Sequence, residues 1–197
     1  MDPNAFMDRV FSRRPRNVSA FSFQSWSHGG KPTSEGVGFL PAPGVDPDKF
    51  VACVLDLDHY VGNVDFVVES RTIADPTCSP PESIHFYERI KVPVLAEIQM
   101  EMVMRDLGER EGFRVLCWSQ LDDATARLDK RKGARSAYNV GAWLVKPGVV
   151  GYALCSAPRK EDVGRLKFAA LTRGADAGAG KMVRANIAGM IAWSKRR

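Results

Sequence analysis

The sequence contains no apolar run near the length of about 20 residues that a membrane-spanning helix needs. Its first residues, which include Asp2 and Asp8, lack the apolar centre of a secretory signal. We therefore expect a cytoplasmic protein with neither a membrane anchor nor a leader.

The sequence also lacks the short motifs of metal and hydrolytic sites. Its 4 cysteines form no CxxC pair and have no histidine at a metal-ligand spacing, so a zinc site is not expected. It has no nucleophile elbow, no phosphate-binding loop and no HExxH motif. We expect no metal, no cofactor, and no nucleophilic or metal-dependent hydrolysis.

The excess of positive charge is small, with a net charge of +5. The clustered basic residues form three separate groups without aromatic residues between them, which argues against a nucleic-acid partner. Two interpretations stay open, namely solvated tails and a loop, or attraction to an anionic membrane surface. The groups are Arg13-Arg14-Arg16, Lys130-Arg131-Lys132-Arg135 and Lys195-Arg196-Arg197.

The length of 197 residues, with 45% apolar residues, suits one domain with one core. Residues 1–16 are polar and rich in arginine, and we expect them to form a flexible N-terminal arm. Residues 17–197 are expected to form the single domain.

Strand-like segments dominate that domain, and turn residues separate them in a way that favours an antiparallel meander. The Asp46-Pro47 pair supplies an N-cap and a first-turn proline, and predicts a helix that ends near Asp56 and is followed by a second short helix. The first strand is either 19–27 or 36–42. Later strands are predicted at 64–73, 83–92, 97–107, 112–121, 134–146 and 149–157.

The last stretch is typical of an amphipathic helix, because Val183, Ile187 and Met190 recur at the i, i+4, i+7 spacing of one face. Three glycines between residues 174 and 180 each disfavour a helix by about 1 kcal/mol. We therefore expect a flexible entry over 174–180 and a rigid helix from near Ala179. Its apolar face must be covered, and the sheet is the largest partner that the sequence offers.

This order of elements resembles the helix-grip family, which contains the START lipid-transfer domains, the polyketide aromatase/cyclases, the plant pathogenesis-related ligand binders and the ubiquinone chaperones. The resemblance covers about residues 45–197. It depends on segments similar to the family's opening helix with an Asp and an aromatic residue, its strand that ends at a proline, its Gly-Gly-Trp segment and its Asp-x-Gly-x-Ile. Here these are 45–60, 87–93, 135–147 with Gly141-Ala142-Trp143, and Asp162-Val163-Gly164-Arg165-Leu166.

The resemblance implies an α+β fold in which a curved antiparallel sheet wraps around a long C-terminal helix, with two short helices after the first strand. A strongly curved sheet cannot pack flush along one helix, and the remaining gap would be an apolar ligand cavity. We expect residues on the apolar faces of the strands and of the helix to line it. They are Phe86, Glu88, Met100, Met102, Met104, Cys117, Ser119, Tyr138, Val140, Tyr152, Val183, Ile187 and Met190.

Glu88 has the clearest chemistry among these candidates, since it shares a strand face with Phe86 and Ile90. A carboxylate in apolar surroundings must pair or take up a proton. Facing inward, Glu88 would bond a ligand hydroxyl or transfer a proton. The alternative is that it pairs with Arg89 or Arg105, or that a bulge turns it to solvent.

Two functions are compatible with such a cavity. The first is binding or transport of a hydrophobic small molecule, such as a lipid, sterol, quinone or polyketide, with transient contact with an anionic membrane. Its lid would be formed by the turn at Lys146-Pro147-Gly148, by residues 162–165 and by the start of the last helix. The second is a polyketide aromatase/cyclase that uses Glu88, Tyr138 and His85 as proton-transfer groups.

Overall fold

The computed structural model describes residues 2–92 and 96–197, without the side chains of 96 and 173–177. The segment 87–93, which resembles the family's strand that ends at a proline, lies partly outside these residues. The helices are α1 (Pro3–Arg13), α2 (Pro47–Leu55), a 3-10 turn (Leu57–His59), α3 (Asp122–Ala126), α4 (Lys160–Val163) and α5 (Arg165–Arg196). The strands are β1 (Ser22–Trp26), β2 (Glu35–Ala42), β3 (Val67–Thr72), β4 (Ser83–Val92), β5 (Ala96–Arg110), β6 (Phe113–Gln120), β7 (Ala134–Lys146) and β8 (Gly148–Pro158).

All eight strands form one sheet in the order β1-β2-β8-β7-β6-β5-β4-β3, and neighbouring strands pair antiparallel. The sheet is curved and packs against the C-terminal helix, which confirms the α+β prediction. The candidates 19–27 and 36–42 both contain a strand, since β1 pairs with β2. The two short helices therefore follow the second strand, which corrects their predicted place after the first.

The inner face of the sheet packs against α5. Val183, Ile187 and Met190 are buried there, as the helical spacing predicts. The contact is close at β2, where a Cβ on Gly38 would lie 2.4 Å from Cγ1 of Val183. Only a residue without a side chain lets the helix approach the strand at this point.

The outer face of the sheet is also covered, because residues 3–13 form helix α1 and pack on it. Asp2 caps the helix by accepting a hydrogen bond from the Asn4 backbone N–H at 2.9 Å, and Pro3 occupies the first turn. The buried face of α1 meets an apolar cluster on β2, β6, β7 and β8. That face consists of Phe6, Met7, Val10 and Phe11.

An ion pair inside this outer layer fastens α1 to the sheet. Glu35 is 0% exposed and accepts hydrogen bonds from Nε and Nη2 of Arg9 at 2.8 and 2.7 Å and from Nε1 of Trp26 at 2.7 Å. The flexible arm predicted for residues 1–16 is thus corrected for 3–13. Four large apolar residues on one face were enough to dock a helix whose remaining residues are mostly polar.

Helix α5 is longer than predicted, because it begins at Arg165 and continues without a break to Arg196. The glycine-rich entry expected over 174–180 is helical, which corrects the predicted start near Ala179. Gly180 is in contact with the ring of Phe23, where an added Cβ would lie 3.3 Å from Cδ1. Tertiary packing of this kind overrides the low helix propensity of glycine.

Candidate functional site: a cavity between sheet and helix

A cavity of about 530 Å³ lies between the inner face of the sheet and α5. This volume is within the range of roughly 300 to 1,000 Å³ that is typical of small-molecule sites. Most of its lining is apolar or aromatic. The lining includes Phe23, Tyr60, Phe86, Glu88, Met102, Met104, Trp118, Trp143, Tyr152, Leu154, Leu171, Met182, Val183, Ala185 and Asn186.

Several predicted residues line this cavity. The structure brings together six of them, from strands β4, β5 and β8 and from helix α5: Phe86, Glu88, Met102, Met104, Tyr152 and Val183. Met100, Ile187 and Met190 are fully buried in the same apolar layer, but they pack against protein and do not reach the cavity. This is a correction to their predicted role.

Four other predicted residues face away from the cavity. Cys117, Tyr138 and Val140 belong to the outer layer beneath α1, and Ser119 accepts a hydrogen bond from Nη1 of Arg105 at 2.9 Å on that same face. The error has a physical cause. Because α1 covers the outer face, β6 and β7 are apolar on both faces, and alternation cannot tell inside from outside.

The three residues predicted to transfer protons in an aromatase/cyclase, Glu88, Tyr138 and His85, lie on different faces of the sheet. Tyr138 hydrogen-bonds Thr33 at 2.7 Å between the two hydroxyl oxygens. His85 alternates with Phe86 on β4 and points outward, where its Nδ1 lies 3.0 Å from Oδ2 of Asp75 and its Nε2 lies 3.1 Å from Oε2 of Glu101. Only Glu88 of the three faces the cavity, which corrects the predicted constellation.

Glu88 is a carboxyl group in an apolar setting without a countercharge. Neither predicted partner reaches it, since Arg89 pairs with Glu69 and Glu97, and Arg105 bonds Ser119. No hydrogen bond to Glu88 is present in the described part of the chain. Burial raises the pKa of Glu88 from 4.5 to about 7, so the group can be neutral or charged near neutral pH.

Two tyrosines surround this carboxyl group. Burial, and secondarily the charge of Glu88, raise the pKa of both Tyr60 and Tyr152. The amide of Asn186 on α5 acts in the opposite direction on the pKa of Tyr152. Oδ1 of Asn186 is buried and has no hydrogen-bond partner among the described residues. The cavity therefore has a polar spot with a titratable acid, a hydroxyl and an amide oxygen that has no hydrogen-bond partner among the described residues.

Sequence reasoning predicted Tyr152 in the cavity but missed the two tryptophans beside it, Trp118 and Trp143. The ring centroid of Tyr152 lies 4.4 Å from that of Trp143 and 5.5 Å from that of Trp118. Gly141 makes room for these rings, because a Cβ there would lie 2.1 Å from Cζ2 of Trp118. The Gly141-Ala142-Trp143 motif was the available signal. Its tryptophan points into the cavity layer and its glycine clears space beside it.

The opening of the cavity is marked by the lining residues that are exposed to solvent. These lie on β1, at the end of β4, just before β3, and on α5: Ser25, Asp65, Lys91, Gly178 and Lys181. The predicted lid included the turn at Lys146-Pro147-Gly148, which does not line the cavity. Nζ of Lys146 instead lies 4.4 Å from the ring centroid of Phe113 on the outer face, which corrects that part of the lid.

Comparisons with known proteins identify the fold. No family model matches the chain, and no curated protein matches it by sequence. Among solved structures, a STAR-related lipid transfer protein from Xanthomonas axonopodis matches with a TM-score of 0.71 at 11% identity, over 92% of this chain and 97% of that one. Human STARD10 matches with a TM-score of 0.71 at 12% identity, over 100% and 80%. The Zhui aromatase/cyclase from Streptomyces sp. R1128 gives 0.52 at 12%, over 89% and 96%.

The chain has the START-type helix-grip fold. Two of the local motifs that resemble this family are joined in space. Arg135, from the segment that contains Gly141, donates from Nε at 2.7 Å to Oδ2 of Asp162, the first residue of the Asp-x-Gly match. Its Nη2 donates to Oδ1 at 2.8 Å. This two-pronged pair, which is largely shielded from solvent, fixes the segment before α5 against the start of β7.

Proposed function

We propose that this protein binds and carries a hydrophobic small molecule in the cavity between the sheet and α5. The observation that carries the proposal is a cavity of about 530 Å³ with a mostly apolar and aromatic wall. Such a wall removes apolar ligand surface from water, which is the main source of affinity for lipid-like molecules. The likeness to solved lipid-transfer proteins supports the same function.

The polar spot at Glu88 indicates how the ligand would be oriented. A protonated carboxyl group can donate one hydrogen bond, and the Asn186 amide oxygen can accept one. A ligand carbonyl could accept only the bond from Glu88, whereas a ligand with a hydroxyl group at one end of an apolar body would satisfy both. Lipids, sterols, quinones and polyketides all include molecules of this kind. Carriage between membranes would include transient contact with an anionic bilayer.

An aromatase/cyclase activity is the second candidate, and the likeness to the Zhui enzyme favours it. General acid-base catalysis requires its groups within hydrogen-bond reach of the substrate. Of the three groups considered, the side chains of Tyr138 and His85 lie on the outer face of the sheet, so Glu88 would act alone in the cavity. The separation of the three groups supports the carrier function over the enzyme.

The test begins with the protein as purified. Mass spectrometry of its organic extract is expected to detect a bound apolar molecule. Fluorescent fatty-acid, sterol and phospholipid analogues are expected to displace it and to raise the melting temperature. Glu88→Leu removes the donor, which the amide of a Gln variant would keep, and is expected to weaken binding of the hydroxyl-bearing sterol analogue by about tenfold, which corresponds to one lost hydrogen bond to a buried group. Glu82→Leu, at an exposed carboxyl group, is the matched control.

Three outcomes would overturn the carrier function. The first is an empty extract together with no thermal shift for any of the analogues. The second is equal binding by the wild type and by a variant in which the cavity is filled. The third is turnover of a polyketone substrate to a cyclised product that depends on Glu88, which would establish the enzyme instead.

A further inference from the structure

Two of the three basic clusters are occupied by contacts within the protein. In the N-terminal cluster, Arg14 pairs with Glu111, and the guanidinium of Arg13 lies 4.8 Å from the ring centroid of Trp26. In the C-terminal cluster, Arg197 pairs with Asp56. These side chains serve the fold. The cluster between α3 and β7 is different, because its two lysines form no such contact with the described residues.

That cluster forms one side of an open groove of about 310 Å³, which is completed by α4 and the start of α5. Lys130, Lys132 and Lys167 line it, and none of them forms a salt bridge in the described part of the chain. The acidic groups in the groove are already neutralised, since Asp162 pairs with Arg135 and Glu97 with Arg89. The groove therefore presents uncompensated positive charge to solvent.

An exposed apolar side chain lies next to Lys167 in the chain. Leu166, in the first turn of α5, is 89% exposed and directly precedes Lys167. The other exposed large apolar residues in the described chain, Val61 and Leu107, are 52% and 38% exposed. An exposed leucine that is next to a lysine in the chain has the chemistry of a side chain that enters a bilayer interface, with the cation at the headgroups.

The groove is next to the cavity opening. Lys91 at the opening is paired in the β4–β5 ladder with Glu97 of the groove. On α5, Lys167 of the groove is one helical turn before Leu171, which lines the cavity. A surface that docks through the groove would thus lie near the opening through which a ligand enters.

We propose that the face formed by Lys130, Lys132, Leu166 and Lys167 docks on anionic lipid bilayers. The lysines contact the anionic headgroups, and Leu166 enters the interface. The net charge of +5 favours approach to such a surface, and the absence of partners for these lysines favours retention. The proposal rests on the proposed carrier function for its biological purpose, but the docking itself needs no ligand.

The experiment is vesicle co-sedimentation of the full chain without added ligand. Phosphatidylcholine vesicles are compared with vesicles of phosphatidylcholine and phosphatidylserine. Each lysine close to an anionic surface strengthens partitioning about fivefold, so Lys130→Gln with Lys132→Gln is expected to weaken binding more than tenfold. Lys49→Gln with Lys195→Gln removes the same charge at exposed sites, the second at the opposite end of α5. This control is expected to stay within about twofold of wild type, because distant charges are screened.

The contribution of Leu166 is tested separately. Leu166→Ser is expected to weaken binding several-fold at constant charge, whereas Val61→Ser, its matched control, is expected to have no effect. The proposal is overturned if the wild type does not bind anionic vesicles, if neutral vesicles bind as well, or if either control variant loses as much binding as its test variant. Binding of the fluorescent ligand analogues by the lysine variant, measured in solution, separates failure of docking from failure of the carrier function.

Discussion

At the scale of single residues, Glu88 is a carboxyl group that the fold places in apolar surroundings. It faces an apolar cavity, and neither Arg89 nor Arg105 reaches it. A charged carboxylate without a partner is costly to bury, so the pKa of Glu88 is raised to about 7 and the group titrates near neutral pH. A ligand that bonds the neutral acid would raise its pKa further, and one that carries a cation would lower it. Ligand preference and pH are therefore linked through this one side chain.

Replacement of Glu88 by Gln is predicted to change how stability depends on pH. The folded-state pKa of about 7 lies above the ordinary value of 4.5, so the folded protein binds the proton more tightly. The stabilising contribution is complete below about pH 4.5 and is lost as pH rises through about 7. The loss amounts to about 3 kcal/mol in wild type and is absent from Glu88→Gln. Urea unfolding at a series of pH values measures it.

The control for this experiment is Glu82→Gln, which changes an exposed carboxyl group on the loop before β4. It is expected to follow the wild-type curve. If Glu88→Gln and wild type lose stability in parallel between pH 4.5 and pH 7, Glu88 is ionised at its ordinary pKa and the buried setting described for it is wrong.

Residue-level prediction succeeded where one face of a strand is apolar and failed where both are. On β5 the methionines alternate with Gln99 and Glu101, and the structure places Met102 and Met104 in the lining of the cavity. On β6, Cys117 was assigned to the wrong face, because the inward Leu116 and Trp118 are apolar as well. Sequence alone does not reveal that a second layer, α1, makes the outer face dry.

At the scale of elements, α1 is the feature that the sequence understated. Phe6→Ala is predicted to destabilise the protein by about 3 to 5 kcal/mol, because a fully buried aromatic ring leaves a cavity in a packed layer. Ser12→Ala, on the exposed side of the same helix, is expected to change the free energy of unfolding by less than about 0.5 kcal/mol. Both values come from chemical denaturation. If Phe6→Ala lowers the free energy of unfolding by less than about 1 kcal/mol, α1 does not pack as described and the flexible arm predicted for residues 1–16 is supported instead.

Helix α5 allows a matched test of why glycines are tolerated in it. Gly178 is exposed and an added Cβ would meet nothing within 4 Å, so Gly178→Ala is predicted to stabilise by up to about 1 kcal/mol. At Gly189 a Cβ would lie 3.0 Å from the backbone oxygen of Asn63. Gly189→Ala is therefore expected to destabilise, or at best to be neutral. Thermal melts of the two variants measure the contrast, and equal gains would contradict the close packing at Gly189.

Elements with strong local punctuation were predicted well. Strands β4 and β7 have the same bounds in sequence and structure, since turn residues or loops flank both. The start of α5 was predicted about 14 residues too late, because the glycine penalty is local whereas the packing that offsets it is not. Contact between Gly180 and Phe23 of β1 joins residues that are far apart in the chain.

At the scale of the whole molecule, one sheet separates two apolar layers. The outer layer is packed, whereas the inner layer contains the cavity. In the outer layer, Phe11 and Phe39 both pack on the ring of Phe113, with centroid distances of 6.4 and 5.8 Å. In the inner layer, α5 touches β2 at Gly38 but leaves about 530 Å³ beside the remaining strands. The short helix α1 follows the outer surface of the sheet. The inner surface is curved, and one helix of 32 residues cannot fill it along its whole length. The unfilled space is where we propose that a ligand binds.

This contrast predicts that the inner layer can be filled at the expense of binding. Ala185 lines the cavity, so Ala185→Leu adds three carbon atoms to it and is predicted to stabilise the ligand-free protein by up to about 2 kcal/mol. The same change should weaken binding of the fluorescent fatty-acid and sterol analogues tenfold or more. Ala188→Leu adds the same atoms to the exposed face of α5 and should alter neither quantity. Melting temperatures with and without each analogue give both values. If Ala185→Leu binds every analogue as tightly as Ala188→Leu does, the ligand lies elsewhere and the unfilled space has another cause.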